Sequence, residues 1–247
     1  MIFKDKGYIG YFEMEDKEQG KVQLESYVNQ LASHENIVGP INGSTWGRYR
    51  LVSTSDGSPS FLLEPENPLW YNDVYLESGF VPIKQYVSER FEIKDIEPMT
   101  LRVGGMIRAF ESEDLPIIYE LSKTGFENNF LYDDICYDLF EQQYRPMLAM
   151  ADPQYILLAF VNHQPAGFLF SYVSEGALIL KSVAVLPAFK WFGLGTRLVN
   201  QALMIAEANE IKTAVAALME EENVSRKISA KYGGKVFRTY TLYGLKK

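Results

Sequence analysis

Residues Val185-Leu186-Pro187-Ala188-Phe189-Lys190-Trp191-Phe192-Gly193-Leu194-Gly195-Thr196 decide the fold. Before them, Ala177 to Val185 is a near-continuous apolar run, the kind of strand buried on both faces of a sheet. After them, Gly195 to Ala208 reads as an amphipathic helix. A turn with two glycines therefore joins a buried strand to a helix. Gly193 and Gly195 let a ligand come close to the backbone where a Cβ would stand in the way. The free N–H groups of the helix's first turn, and its dipole, aim partial positive charge into the same space. Such a joint suits a phosphate or pyrophosphate. It is not a Walker loop, because no Gly-Lys-Ser/Thr follows, and a dinucleotide fingerprint would want glycine where Leu198 stands.

Working outward, Tyr155–Val161 and Ala166–Val173 read as strands joined by a hairpin turn at Asn162-His163-Gln164-Pro165. His163 there is a surface turn residue rather than a ligand. Downstream lie a strand Thr213–Met219, a helix after Asn223 and a last strand Lys235–Tyr243. Upstream lie a strand Arg102–Phe110, a helix with Ser112 as its N-cap, and a mostly helical stretch over 125–150. The first hundred residues give a strand Gly7–Glu15, a helix Gly20–His34, a strand Thr45–Val52 and a short strand Phe61–Leu63. A helix from Asn67-Pro68 to Ser78 and a strand Ile83–Phe91 follow. The acidic, Pro-containing stretch Glu92–Met99 reads as a linker, which divides the chain into domains 1–98 and 99–247. Alternating strands and helices predict a mixed α/β sheet.

The chain has 247 residues, 47% of them hydrophobic and 23% charged, which fits a folded globular protein and excludes a disordered or fibrous one. Its net charge of −8 argues against nucleic acid as a partner, since phosphate neutralisation dominates that binding. The charge is uneven. Residues 1–100 carry 9 basic and 16 acidic side chains, whereas the stretch from Asn223 onward has seven basic side chains and no acidic one. That basic tail reads either as a solvated surface or as a seat for a small polyanion. A single cysteine, Cys136, implies a reducing compartment, and two histidines without a Cys/His cluster give no metal site. No apolar run reaches the length of a membrane span, and no signal peptide opens the chain, so a cytoplasmic protein with no membrane partner is expected.

The segment 185–195 resembles the acyl-CoA pyrophosphate loop of the GNAT acyltransferases, V-x-P-x-x-[QR]-x-x-G-x-[GA], at every spacing, with Lys190 in place of Gln or Arg. A lysine keeps the cation but loses the planar fork of arginine. The resemblance covers roughly residues 105–247 and implies the GNAT fold, acetyl-CoA as cosubstrate, and N-acetyl transfer to a small amine, amino acid or peptide amine. It implies that acyl-CoA lies along Val183, Ala184 and Val185, with its pyrophosphate on the backbone of Trp191, Phe192, Gly193, Leu194, Gly195 and Thr196 beside Lys190. It further implies that Asn223 meets the pantetheine arm and that Arg226 or Lys227 meets the nucleotide's 3′-phosphate.

The catalytic positions depart from the family pattern. In N-x-x-A-x-x-x-Y-x-x-x-G-F counted from Asn223, Arg226 fills the Ala slot, Ala230 the Tyr slot and Lys235 the Phe slot. Tyr232 lies two residues away from the Tyr slot, about 200° around a helix, and so faces elsewhere. The mid-strand carboxylate that some relatives use as a base is replaced by apolar residues around Ile179. Glu175 is the one acid near that strand, a candidate base that also reads as a solvated strand end. These vacancies leave a second class open, a catalytically silent acyl-CoA-binding or scaffold protein.

Residues 1–98 show a fainter echo, with Tyr75 and Gly79-Phe80 spaced like the end of a GNAT unit. They read as an incomplete GNAT-like half that walls the substrate site, or as an unrelated α/β cap. Its Trp70, Tyr71 and Tyr75 are expected to need cover from the second half, with a homodimer through the first half as the competing arrangement.

Overall fold

A computed structural model of the chain describes residues 5–99 and 105–246. Its elements are β1 (Lys6–Tyr8), α1 (Lys17–Gln30), β2 (Asn36–Gly39), β3 (Leu51–Ser55), α2 (Tyr71–Glu77), β4 (Val81–Glu92) and β5 (Gly105–Ala109). After these come α3 (Leu115–Phe126), α4 (Tyr137–Met150), β6 (Ile156–Val161), β7 (Gln164–Ser174) and β8 (Ala177–Val185). The last four are α5 (Leu194–Ala208), β9 (Thr213–Glu220), α6 (Ser225–Lys231) and β10 (Lys235–Lys246), preceded by a 3-10 turn at Pro187–Phe192. Strands and helices alternate, and the fold is α/β with a mostly antiparallel sheet.

The chain forms two compact units, Met1–Ser88 with Val236–Lys247, and Glu89–Lys235. This division differs from the 98/99 boundary read from composition. The stretch Glu92–Met99 is not a free tether. Ile93 N–H bonds to Lys212 O, just before β9, while Ile96 N–H bonds to Glu207 Oε2 and Met99 N–H to Asn200 Oδ1, both on α5, so the stretch is strapped along that helix and the turn after it. Composition reveals its acidity but not those distant acceptors.

In the first unit, β2 pairs with β1 in parallel and with β10 antiparallel, and β3 also lies on β10. Several strands expected here are shorter than their sequence suggests. Of Gly7–Glu15 only Gly7 and Tyr8 are strand, as the end of β1, because Tyr11 takes a positive φ and its N–H turns to Asn42 Oδ1. Thr45–Val52 is strand only from Leu51, after a left-handed residue at Arg50, and Phe61–Leu63 is a turn. Leu24, Ile37, Val74, Tyr75, Phe80 and Tyr243 close the core. Tyr75 is fully buried, stacked on Tyr243 at 5.2 Å and edge-on to Phe12 at 5.6 Å. Tyr71 and Tyr75 therefore belong to this unit's own core and do not need the cover expected for them.

In the second unit the order is β9-β8-β7-β6-β5. The β5–β6, β6–β7 and β7–β8 pairs are antiparallel, and β8–β9 is parallel. The start of the expected strand at Arg102 lies outside the described residues. The β6–β7 turn is Asn162-His163, both with positive φ, the backbone that a tight hairpin demands. The cap falls at Glu111 rather than Ser112, on the 3-10 turn Ser112–Asp114 that leads into α3: a capping box pairs Glu111 with Asp114, whose side chain accepts Glu111 N–H at 2.8 Å. Within 125–150, helix is confined to the end of α3 and to α4. Successive β8 residues point to opposite faces. Ala184 faces Gly125 of α3, while Val183 and Val185 face Gly195 of α5, so the two helices cover opposite sides of the strand.

Candidate functional site

The parallel pair β8–β9 stays in register only from Ala177↔Thr213 to Leu180↔Ala216. Beyond that point the strands part, with Lys181–Val185 on one side and Ala217–Glu220 on the other. Both strands change conformation at this place. The β7–β8 register slips between Phe170 and Ser171, which leaves Lys181 as an extra residue, a β-bulge. Leu218 of β9 takes a positive φ of 57°. The cleft therefore opens after Leu180, well before the glycine loop.

The loop 186–193 sits at the open end of this cleft. Leu186 N–H bonds to Ala166 O, and Phe189 packs with Val185 on Val161, Ala166 and Leu194, which pins the loop to the sheet. Its 3-10 turn ends at Trp191 and Phe192, and Gly193 then takes φ 68° as the N-cap of α5. A side chain at Gly193 would meet nothing within 4 Å, so the space above the turn is open. A side chain at Gly195 would contact Ile228, Val185 and Val183 at 3.5–3.8 Å. The first intrahelical bond joins Arg197 N–H to Gly193 O, which leaves the amides of Leu194, Gly195 and Thr196 as the free donors of the first turn.

Two cationic side chains border this turn. Lys190 is exposed at the end of the 3-10 turn. Lys231, on α6, places Nζ 3.4 Å from Thr196 Oγ1. In the sequence Lys231 is one of the seven basic side chains of the tail; only the approach of α6 to α5 brings it to the loop. Open space, free amides at a helix N-terminus and two ammonium groups suit an anionic diphosphate.

The other expected residues fall as follows. Val183, Ala184 and Val185 lie on the parted stretch of β8. Asn223 lies just beyond the end of β9, exposed, its Oδ1 accepting Ser225 N–H at 2.9 Å. Arg226 does not wait for a phosphate: its Nε and Nη2 donate to Glu89 Oε1 at 2.8 Å and its Nη1 to Glu221 O at 3.2 Å. Lys227 is exposed. Glu175 sits in the β7–β8 turn, exposed, roughly 30 Å along β8 from the loop.

No general acid was expected near Ala230, which is exposed. Tyr232 turns away as its spacing predicts: its ring stacks on Phe91 at 5.6 Å, and Asn200 Nδ2 reaches its OH at 3.5 Å. Burial pushes the Tyr232 hydroxyl above its usual range. Burial does the same to Tyr75 of the first unit, which has no access to any cleft. Among the described residues, no group of three or more His, Cys, Asp or Glu is placed to hold a metal, and no helix is long and apolar enough to cross a membrane.

Residues 115–232 match the model of the acetyltransferase (GNAT) family. Among solved structures, the chain is similar to a GCN5-related N-acetyltransferase from Sphaerobacter thermophilus at 16% identity and TM-score 0.57, over 71% of this chain and 55% of that one. The chain thus spans little more than half of that relative's length. It is also similar to a tandem GNAT protein from the clavulanic acid biosynthesis pathway at 10% identity and TM-score 0.60, over 94% of this chain and 71% of that one. A functionally unknown conserved protein from Staphylococcus epidermidis aligns at 15% identity and TM-score 0.57, over 96% and 84% of the two chains. No curated protein sequence matches. At these identities the structural likeness speaks for the fold, and it extends over both units.

Proposed function

From the match of residues 115–232 to the acetyltransferase (GNAT) family, we propose that the chain transfers the acetyl group of acetyl-CoA to a small amine, amino acid or peptide amine. The observation that carries this reading is the strand parting at Leu180/Ala216 with the glycine loop and the α5 N-terminus at its mouth. Acetyl-CoA, when bound, supplies the thioester: the amine nitrogen bonds to the carbonyl carbon, the C–S bond breaks, and CoA leaves as a thiolate that takes up a proton.

The chain's own residues do the binding and orienting. Amides of Leu194, Gly195 and Thr196, with Lys190 and Lys231, take the pyrophosphate. The backbone of Val183–Val185, which lies beyond the β8–β9 register, takes the pantetheine arm as a strand would, and Asn223 stands beside the same opening. A deprotonated amine needs no side-chain nucleophile, so positioning is the main contribution. This reading gives Glu175 no part in the chemistry, given its place at the far turn.

A second reading is favoured by the exposed Ala230 and the buried Ile179 at the acid and base positions. On it, the chain binds acyl-CoA without turning it over. Thiol release measured across a panel of amines, amino acids and peptides separates the two. Acceptor-dependent CoA production supports the transferase. Acetyl-CoA binding with no acceptor-dependent release supports the silent binder.

A further inference from the structure

We propose that Glu89 and Phe91 are positioning residues of the cofactor cleft, clamping the two ends of α6 so that it walls the first turn of α5. This rests on the reading of that cleft as the acyl-CoA site. Glu89 and Phe91 stand two apart on β4, so their side chains share a face. Glu89 holds Arg226 in the first turn of α6. Phe91 stacks on Tyr232, the residue that caps α6 at its other end, with the rings 17° from parallel.

Both contacts are interior. Glu89 is 3% exposed and Phe91 5%. A buried carboxylate left alone is costly, and here one oxygen takes two guanidinium donors. Helix α6 is only 7 residues long. A helix that short has little stability of its own, so its anchors decide where it lies. Tyr232 is fixed a second time by Asn200 of α5, which also binds Glu97 O and Met99 N–H.

Between the anchors, α6 carries the two side chains that meet the loop, Ile228 opposite Gly195 and Lys231 beside Thr196. A shift of α6 would move both at once. The clamp also gives a physical reason for an arginine at position 226, where the family pattern has alanine: the long side chain is what reaches Glu89.

Two readouts on E89A and on the charge swap E89R/R226E test this. The first is amide hydrogen exchange of the free protein, comparing Ile228–Lys231 with Val199–Leu203. The second is calorimetric affinity for acetyl-CoA. E89A is expected to exchange about tenfold faster in α6 with α5 unchanged, and to bind acetyl-CoA about tenfold more weakly, since small misplacements of a binding wall cost on that scale. The swap is expected to restore most of both.

If α6 and α5 lose protection in step, the pair only stabilises the fold and the proposal is overturned. Unchanged protection and affinity in folded E89A overturn it as well. Should E89A fail to fold, E89Q keeps the shape and loses the charge; faster exchange confined to α6 supports the clamp, and wild-type exchange there overturns it. A wild-type protein that does not bind acetyl-CoA contradicts the functional reading, while the exchange comparison still decides the clamp.

Discussion

Lys231 Nζ stands 3.4 Å from Thr196 Oγ1, so a cation from α6 borders the free amides of the α5 first turn. The contact is long and Lys231 is exposed, so its value to an anion lies in charge rather than in a fixed hydrogen bond. Replacing it with methionine keeps most of the stem and removes the charge. Acetyl-CoA affinity in K231M should fall about 3- to 10-fold, and its salt dependence should flatten, as titrations at two ionic strengths would read.

Gly193 permits a cleaner separation of strain from charge. Its φ of 68° penalises any side chain, yet nothing lies within 4 Å of where one would project. Gly193→Ala and Gly193→Asp should therefore both fold, each losing about 1–2 kcal/mol of stability to the left-handed backbone. Only the aspartate puts a carboxylate among the pyrophosphate donors. Affinity for acetyl-CoA should drop about 100-fold or more in G193D, and far less in G193A.

What could be read from the sequence was local. The strand–turn–helix at 177–208 stands as its spacing predicts, because apolar periodicity and glycine geometry act within a few residues. The strand ends of the first unit were harder to read, since Tyr11 and Arg50 turn through positive φ with no glycine to announce it. The site's supports were not legible at all. Glu89 meets Arg226 across 137 positions, and Asn200 meets Glu97 across 103. Asn200 sits in an apolar helix with only its type to mark it, and its partners Glu97 O and Met99 N–H are backbone groups that no side-chain pattern reveals. The basic tail resolves the same way: Arg226 and Arg238 are spent on internal carboxylates, which leaves Lys231 at the loop.

Arg238 and Glu64 form a buried pair in the first unit. The arginine also donates to Ser58 and Ser55, and the carboxylate also accepts from Tyr240 OH and Phe61 N–H. Removing one partner strands the other charge away from water. Arg238→Met should destabilise the protein by about 3–5 kcal/mol, and R238M/E64L should recover a large part of that loss. Denaturant unfolding of the two variants checks this. Equal stability of the single and double variants would speak against a stranded charge.

Asp114 supplies a pH dependence of definite sign. Hydrogen bonds from Arg108 at 2.6 and 2.7 Å hold its carboxyl below the usual range, and Glu111 N–H adds to this. A depressed folded value means that the stabilisation is complete above the unfolded value of about 3.9 and is lost as pH falls through the folded one. Asp114→Asn should cost about 1–2 kcal/mol at neutral pH, and the gap to wild type should narrow below about pH 4. Urea midpoints of both proteins across that range give the comparison.

Whether the parted strands and the glycine loop form an acyl-CoA site is decided by calorimetric titration of the intact protein with acetyl-CoA. Saturable one-to-one binding is expected, with a dissociation constant in the range roughly 1 μM–1 mM usual for enzyme substrates, weakened about 100-fold or more in G193D. Absence of any binding heat at about 1 mM acetyl-CoA, in a wild-type protein shown to be folded, would contradict it.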